Sequence, residues 1–283
     1  MKNYRLTTMS VVLLVLVCVL PVFAQSKGSI EYEGKKSSWN GYEKYDFALD
    51  GIPCYVVAPK ECEPGKPWVL RARFPNYHAD IDVKLLEAGY HIAFINVANL
   101  YGGPEACKRW SKMYEHMIDK YDLNAKVVLE GVSRGGLIVY NWAKRNPDKV
   151  ASIYCDTPVC DIRSWPGGKG QGRGSDADWE RCMKAYGLTE ETAGEFTGNP
   201  IDGLDELAKA GVPVMHVVSE SDTVVPPDEN TRVLQKRYRE LDGPILVLSI
   251  DEGTKVSHGH HFPLTSVVVD TAVDFILRYG PKD

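Results

Sequence analysis

From Trp68 onward, short apolar runs alternate with amphipathic stretches in a steady rhythm. Trp68–Phe74 reads as a strand, Ile81–Ala88 as a helix ended by Gly89, and Tyr90–Val97 as a strand. Glu105–Tyr121 has one apolar face and predicts a helix, and Lys126–Glu130 is a short strand of the fully buried kind. Arg134–Arg145 predicts a helix stopped near Pro147, and Val150–Asp156 the next strand. Leu204–Ala210, Val214–Ser219, Asp228–Glu240, Ile245–Ile250 and Ser266–Tyr279 continue the alternation. Before it, Tyr45–Leu49 and Pro53–Ala58 read as two strands around the turn at Asp50-Gly51. Strands alternating with helices predict an α/β fold: a mostly parallel sheet with helices on both faces. No internal repeat and no second domain is expected.

One stretch breaks the rhythm. Residues 157–200 hold no sheet strand and carry the glycine-rich run Gly167-Gly168-Lys169-Gly170-Gln171-Gly172-Arg173-Gly174. Long excursions of this kind are commonly lids or binding loops, so a lid is expected at about 157–200.

The extreme N-terminus follows a different pattern. Lys2 and Arg5 precede an unbroken apolar run, Val11–Leu20, and Pro21-Val22-Phe23-Ala24 closes it ahead of polar Gln25. This is the layout of a secretory signal peptide over residues 1–24, with a secreted or periplasmic protein after cleavage. The run is shorter than the roughly 20 apolar residues of a stable membrane anchor. Leu16-Val17 before Cys18 does not suit lipid attachment, so no membrane anchor is expected. Losing Lys2 and Arg5 takes the net charge from −5 to −7. A mildly acidic chain lacks the basic stripe of a nucleic-acid binder. Cys54, Cys62, Cys107, Cys155, Cys160 and Cys182 remain, at spacings that match no zinc site. No metal or organic cofactor is implied.

The chemistry concentrates in Lys126-Val127-Val128-Leu129-Glu130-Gly131-Val132-Ser133-Arg134-Gly135-Gly136. A buried strand runs into Gly-x-Ser-x-Gly-Gly and then into a helix. A serine on such a sharp turn takes a strained backbone conformation, and glycines are needed where a Cβ would strike the turn. The turn exposes Oγ and sets the next N–H groups at a helix N-terminus, where an oxyanion is stabilised. Ser133 is therefore the candidate nucleophile. A phosphate-binding loop would need a Gly-Lys-Ser/Thr ending, which is absent.

Serine at neutral pH needs a base, and the base an orienting carboxylate, in the chain order Ser, Asp/Glu, His on this architecture. Asp222, in the turn after Val214–Ser219, is the candidate acid, with Glu220 and Asp156 as competitors. Asp228 and Glu229 read as first-turn charges of the following helix. The base comes from Ser257-His258-Gly259-His260-His261, and His260 is chosen for its place after a glycine. His258 and His261 stay open, and a metal reading of His-x-His-His leaves the serine turn unexplained. His216 reads as a core histidine, and His78, His91 and His116 carry no motif. The Arg134 N–H is one oxyanion donor. The second comes from the loop after Trp68–Phe74, where Pro75 has no N–H and Phe74 is the best candidate.

In the excursion, Trp165, Trp179 and Tyr186 can stack on sugar faces, and Arg163, Lys169 and Arg173 can meet an anion. Arg134, beside the nucleophile, suits a uronate carboxylate. The substrate-contact candidates are Arg134, Trp165, Arg173 and Trp179. A long-chain lipid substrate is disfavoured because the excursion is polar.

With Ser133, Asp222 and His260 in chain order, the sequence resembles the α/β-hydrolase superfamily over nearly all of the chain after residue 24. Gly131–Gly136, Trp165–Ser175 and Gly259–Phe262 are similar to a group of secreted bacterial serine hydrolases found among polysaccharide-degrading genes. Members are often labelled prolyl-oligopeptidase-like or esterase-like. The group has Gly-His-His-Pro, whereas here Phe262 precedes Pro263. The resemblance implies a carboxylic-ester hydrolase acting on acyl or methyl esters of carbohydrate, pectin-like, so the expected partner is a small or oligosaccharide ester. A serine peptidase of the prolyl-oligopeptidase type and a noncatalytic binding protein on the same fold are the alternatives.

Overall fold

In the computed structural model, the described residues are 30–251, 253 and 259–281. The expected signal peptide over 1–24 and His258 lie outside them. The strands are β1 (Lys35–Trp39), β2 (Tyr42–Leu49), β3 (Ile52–Ala58), β4 (Trp68–Ala72), β5 (His91–Ile95), β6 (Val127–Val132), β7 (Val150–Asp156), β8 (Val214–Ser219) and β9 (Ile245–Ile250). The helices are α1 (Asp80–Glu87), α2 (Pro104–Tyr121), α3 (Gly135–Ala143), α4 (Asp176–Tyr186), α5 (Glu190–Ala193), α6 (Asp205–Lys209), α7 (Thr231–Glu240) and α8 (Ser266–Tyr279). The strands form one sheet in the order β1-β2-β3-β5-β4-β6-β7-β8-β9. The first three pair antiparallel down to β5, and every pairing from β5 to β9 is parallel.

The pleat sorts alternate residues to opposite faces. Trp68, Leu70, Val127 and Leu129 pack with Trp110 and Met113 of α2, Val139 and Trp142 of α3, and Leu234 of α7. Val69, Val128, Met215 and Val217 pack on the other side with Ile81 and Leu85 of α1 and Val268, Ala272 and Ile276 of α8. Both faces are covered, which accounts for the near-continuous apolar character of β4, β6 and β8.

The expected elements recur with ends displaced by a few residues, and two features differ. β1 was not anticipated. Its sequence, Lys-Lys-Ser-Ser-Trp, is exposed along the sheet edge and carries no alternation; Lys35 and Lys36 blunt that edge. The Asp228–Glu240 helix breaks into a short 3-10 turn, Pro227–Glu229, followed by α7. Residues 157–200 contain α4 and α5 and no strand. All six cysteines after residue 24 are buried free thiols.

The order β5-β4-β6 reverses the direction in which strands are added. A crevice opens outside the carboxyl ends of β4 and β6 at such a reversal. Ser133 follows β6 and Phe74 follows β4, so the chemistry gathers there.

Candidate active site

The turn after β6 holds Ser133 at φ +52°, the left-handed region that L-residues occupy only under strain. Surrounding bonds hold it there: the Ser133 N–H donates to the Asp156 carbonyl at 2.9 Å, and its own carbonyl accepts from Gly136 and Val159, each at 3.0 Å. Glycines close the turn for steric reasons. A Cβ on Gly131 would lie 2.9 Å from Val139 Cγ2, one on Gly135 2.9 Å from the Ala72 carbonyl, and one on Gly136 2.6 Å from Pro158 Cβ. The Gly135 contact also presses the start of α3 against the end of β4.

The structure brings together the three residues expected to act as a triad. His260 Nε2 lies 3.0 Å from Ser133 Oγ, and His260 Nδ1 lies 2.6 Å from Asp222 Oδ2. The other Asp222 oxygen accepts the N–H groups of Val224 and Val225, both at 2.8 Å. The carboxylate is thus fixed by its own turn, and its free edge faces the imidazole. Gly259, at φ +77°, explains why this histidine is delivered: a Cβ there would collide with the Ser221 carbonyl in the Asp222 turn. Ser133 and His260 are 127 residues apart in sequence.

His261 occupies a different place. Its Nδ1 lies 3.0 Å from both Asp156 Oδ1 and Thr157 Oγ1, and His78 Nδ1 lies 2.5 Å from the second Asp156 oxygen. Burial alone would raise the Asp156 carboxyl, but the hydrogen bonds from His261 and His78 overcome it and hold the group well below its ordinary range. Burial pushes the His261 pKa down, in keeping with a neutral ring donating Nδ1–H to the carboxylate. Asp156, the competing acid, is therefore occupied by two other imidazoles. The ring centroids of His260 and His261 are 3.9 Å apart, so this cluster buttresses the loop that carries His260. Phe262 is fully buried, with its ring centroid 5.0 Å from that of His78. His78 had no sequence signal, because the carboxylate it pairs with lies 78 residues away.

Arg134 forms the N-cap of α3, and Phe74 stands at φ +44° beside it. Among the described residues, neither backbone N–H donates a hydrogen bond. The loop bearing Phe74 is tied down by Arg71, whose Nη2 donates to the Phe74 carbonyl at 3.1 Å and to the Tyr77 carbonyl.

The substrate-contact candidates separate into two groups. Arg134 directly follows the nucleophile, and Trp165 faces Arg134: the Arg134 guanidinium lies 5.3 Å from the Trp165 ring centroid and 5.5 Å from that of Phe74. Arg134 also pairs with Asp178 of α4 at 3.2 Å. Trp179, by contrast, is buried within the excursion's own apolar cluster, and its Nε1–H donates to Glu190 at 2.6 Å. It packs the excursion down and has no face left for a sugar, which corrects the expectation of substrate stacking. Tyr186 is a packing residue too, donating to the Tyr101 carbonyl at 2.6 Å. Arg163 is engaged by Asp161 and Lys169 by Glu190. The Arg173 side chain is exposed, while its N–H donates to the Thr223 carbonyl at 2.9 Å, seating the glycine-rich loop on the Asp222 turn. Glu229 accepts from Ser164 Oγ at 2.7 Å and so ties down the excursion beyond its place in the first turn. His216 pairs with Tyr140 and Thr231 in the core, and burial lowers its pKa to about 3.

Among the described residues, no group of three or more His, Cys, Asp or Glu side chains is arranged to hold a metal ion, and no helix is long and apolar enough to cross a membrane. No protein-family profile matches the chain, and no curated protein matches it by sequence. Solved structures do match by shape. A puromycin-hydrolysing peptidase of Mycobacterium tuberculosis superposes at a TM-score of 0.63 with 16% identity over 86% of this chain. That match spans only 40% of the peptidase's own length. Est1E of Butyrivibrio proteoclasticus, solved with ferulic acid, matches at 0.58 with 17% identity over 83% of this chain and 98% of its own. A carboxyl esterase of the fungus Tuber melanosporum matches at 0.57 with 13% identity, over 75% of this chain and 76% of its own. At these identities the likeness speaks for the fold: the chain has the α/β-hydrolase fold.

Proposed function

We propose that the protein is a serine hydrolase that cleaves carboxylic esters through an acyl-enzyme on Ser133. The observation that carries this reading is the chain of contacts Ser133 Oγ, His260 Nε2, His260 Nδ1, Asp222 Oδ2, at 3.0 and 2.6 Å. With Nδ1–H donated to Asp222, the Nε2 lone pair faces the serine hydroxyl and takes its proton as Oγ attacks the ester carbonyl. Asp222 holds the imidazole in that tautomer and offsets the charge that forms on it. The Arg134 and Phe74 N–H groups stand ready for the oxyanion. His260 then gives its proton to the departing alcohol, and water releases the acyl group by the same steps in reverse.

The proposed substrate is an acyl or methyl ester on a carbohydrate, pectin-like, met outside the cytoplasm after removal of residues 1–24. The polar excursion supports this over a long-chain lipid, and 157–200 is the proposed lid. A serine peptidase is the second reading, since the fold is shared by a peptidase of Mycobacterium tuberculosis as well as by esterases. The two readings separate on substrates. Methanol or acetate release from esterified pectin by the wild type, and not by Ser133→Ala, is the expected result. Cleavage of prolyl or alanyl anilides with no ester turnover would replace the esterase reading by the peptidase one.

A further inference from the structure

Positive charge gathers beside Ser133 without a matching number of carboxylates. Arg73 leaves the end of β4 at φ +54°, and Arg134 follows the nucleophile. Their guanidinium carbons lie 5.0 and 5.5 Å from the centroid of one ring, Phe74. The carboxylate beside them is Asp178, already shared among four donors: Tyr101 Oη at 2.5 Å, Ser175 Oγ at 2.9 Å, Arg134 Nη1 at 3.2 Å and Arg181 Nη1 at 3.4 Å. Arg73 has no ion pair among the described residues, and its Nε is buried without a hydrogen-bond partner. Burial and the neighbouring Arg134 charge both push the Arg73 pKa down, so its charged form is held here at a cost. A half-buried guanidinium of this kind is stabilised when an anion arrives, and its planar fork suits a carboxylate.

We propose that Arg73 and Arg134 form a carboxylate-binding subsite, so that the ester cleaved at Ser133 carries a second, free carboxylate, borne by a uronic-acid sugar next to the esterified position. This rests on the ester-hydrolase reading and narrows its substrate class. The Phe74 and Trp165 rings flank the Arg134 guanidinium and offer apolar faces beside it. The free carboxylate sits on the two arginines while the ester carbonyl reaches Ser133 Oγ. That single carboxylate supplies the counter-charge that Arg73 lacks among the described residues.

The test is calorimetric titration of the Ser133→Ala protein with trigalacturonate, with a neutral galactose trisaccharide and with glutarate, which needs no turnover. Trigalacturonate is expected to bind at least tenfold tighter than the neutral sugar. Arg73→Gln in that background is expected to erase the preference, and Arg73→Lys to keep part of it, with thermal unfolding recorded for both. Glutarate binding as tightly as trigalacturonate would support the carboxylate subsite and reassign its source to a dicarboxylic half-ester. Equal binding of acidic and neutral sugars, no binding of either acid, or an Arg73→Gln protein that retains the preference would overturn the proposal. A wild type that hydrolyses no ester while this acid preference persists would remove the esterase reading and leave the subsite standing.

Discussion

Ser133→Ala is expected to lower kcat for a 4-nitrophenyl ester by about 10⁴- to 10⁶-fold, and His260→Ala by a similar factor. The two losses are expected not to add, because the residues act as a unit: Oγ is a poor nucleophile without the imidazole, and the imidazole has no proton to accept without Oγ. A double variant should therefore be about as slow as either single one. The serine side chain is half-buried, and its removal deletes one hydrogen bond, that to His260 at 3.0 Å, while the other ring nitrogen stays bonded to Asp222, a loss of about 1 kcal/mol. Thermal unfolding should stay close to that of the wild type. Steady-state kinetics on the three purified variants checks this, and a His260→Ala enzyme within tenfold of the wild type would transfer the base to another histidine.

The second large effect is on stability. Arg71→Met is expected to cost about 3–5 kcal/mol, the range seen when one partner of a buried ion pair is removed. Arg71 is wholly buried in β4, with Nη1 donating to Glu130 Oε1 of β6 at 2.5 Å and to Asp82 of α1. Burial opposes its charge, but the two carboxylates outweigh that and raise its pKa, while burial raises the Asp82 carboxyl. Methionine fills similar volume and leaves both carboxylates without a counter-charge. It also frees the Phe74 and Tyr77 carbonyls, so the loop with the second oxyanion donor loses its tether and turnover should fall with stability. Urea unfolding of Arg71→Met beside a triple variant with Asp82→Leu and Glu130→Leu separates the causes. The triple variant should recover much of the loss, and a single variant within about 1 kcal/mol of the wild type would contradict a charge-based origin.

Arg71 also shows where sequence reading stops. In sequence it is one polar residue inside an apolar strand, and its carboxylate partners lie 11 and 59 positions away. The stretch from β6 through Ser133 to α3 was legible because every constraint on it is local: a buried strand, glycines around a left-handed serine, and an apolar helix in one run. Asp222 was legible for the same reason, at the end of a buried strand. Three neighbouring histidines could not be separated by pattern alone. What separates His260 from His261 is the positive φ of Gly259 and its contact with the Asp222 turn, a packing fact between segments far apart in the chain. His261 and His78 converge on Asp156 in the same nonlocal way. Trp179 was misread because a tryptophan in a glycine-rich excursion looks alike whether it faces a ligand or a core. β1 escaped notice because a paired edge strand with solvent on both faces needs no alternation.

The central claim is that Ser133 Oγ is the atom that becomes acylated. Its most direct test is reaction with a fluorophosphonate probe, which phosphonylates activated serines, followed by intact mass and peptide mapping. One adduct per chain on Ser133, lost in Ser133→Ala and strongly slowed in His260→Ala, is the expected result. No adduct at all, or an adduct on another serine, would contradict it.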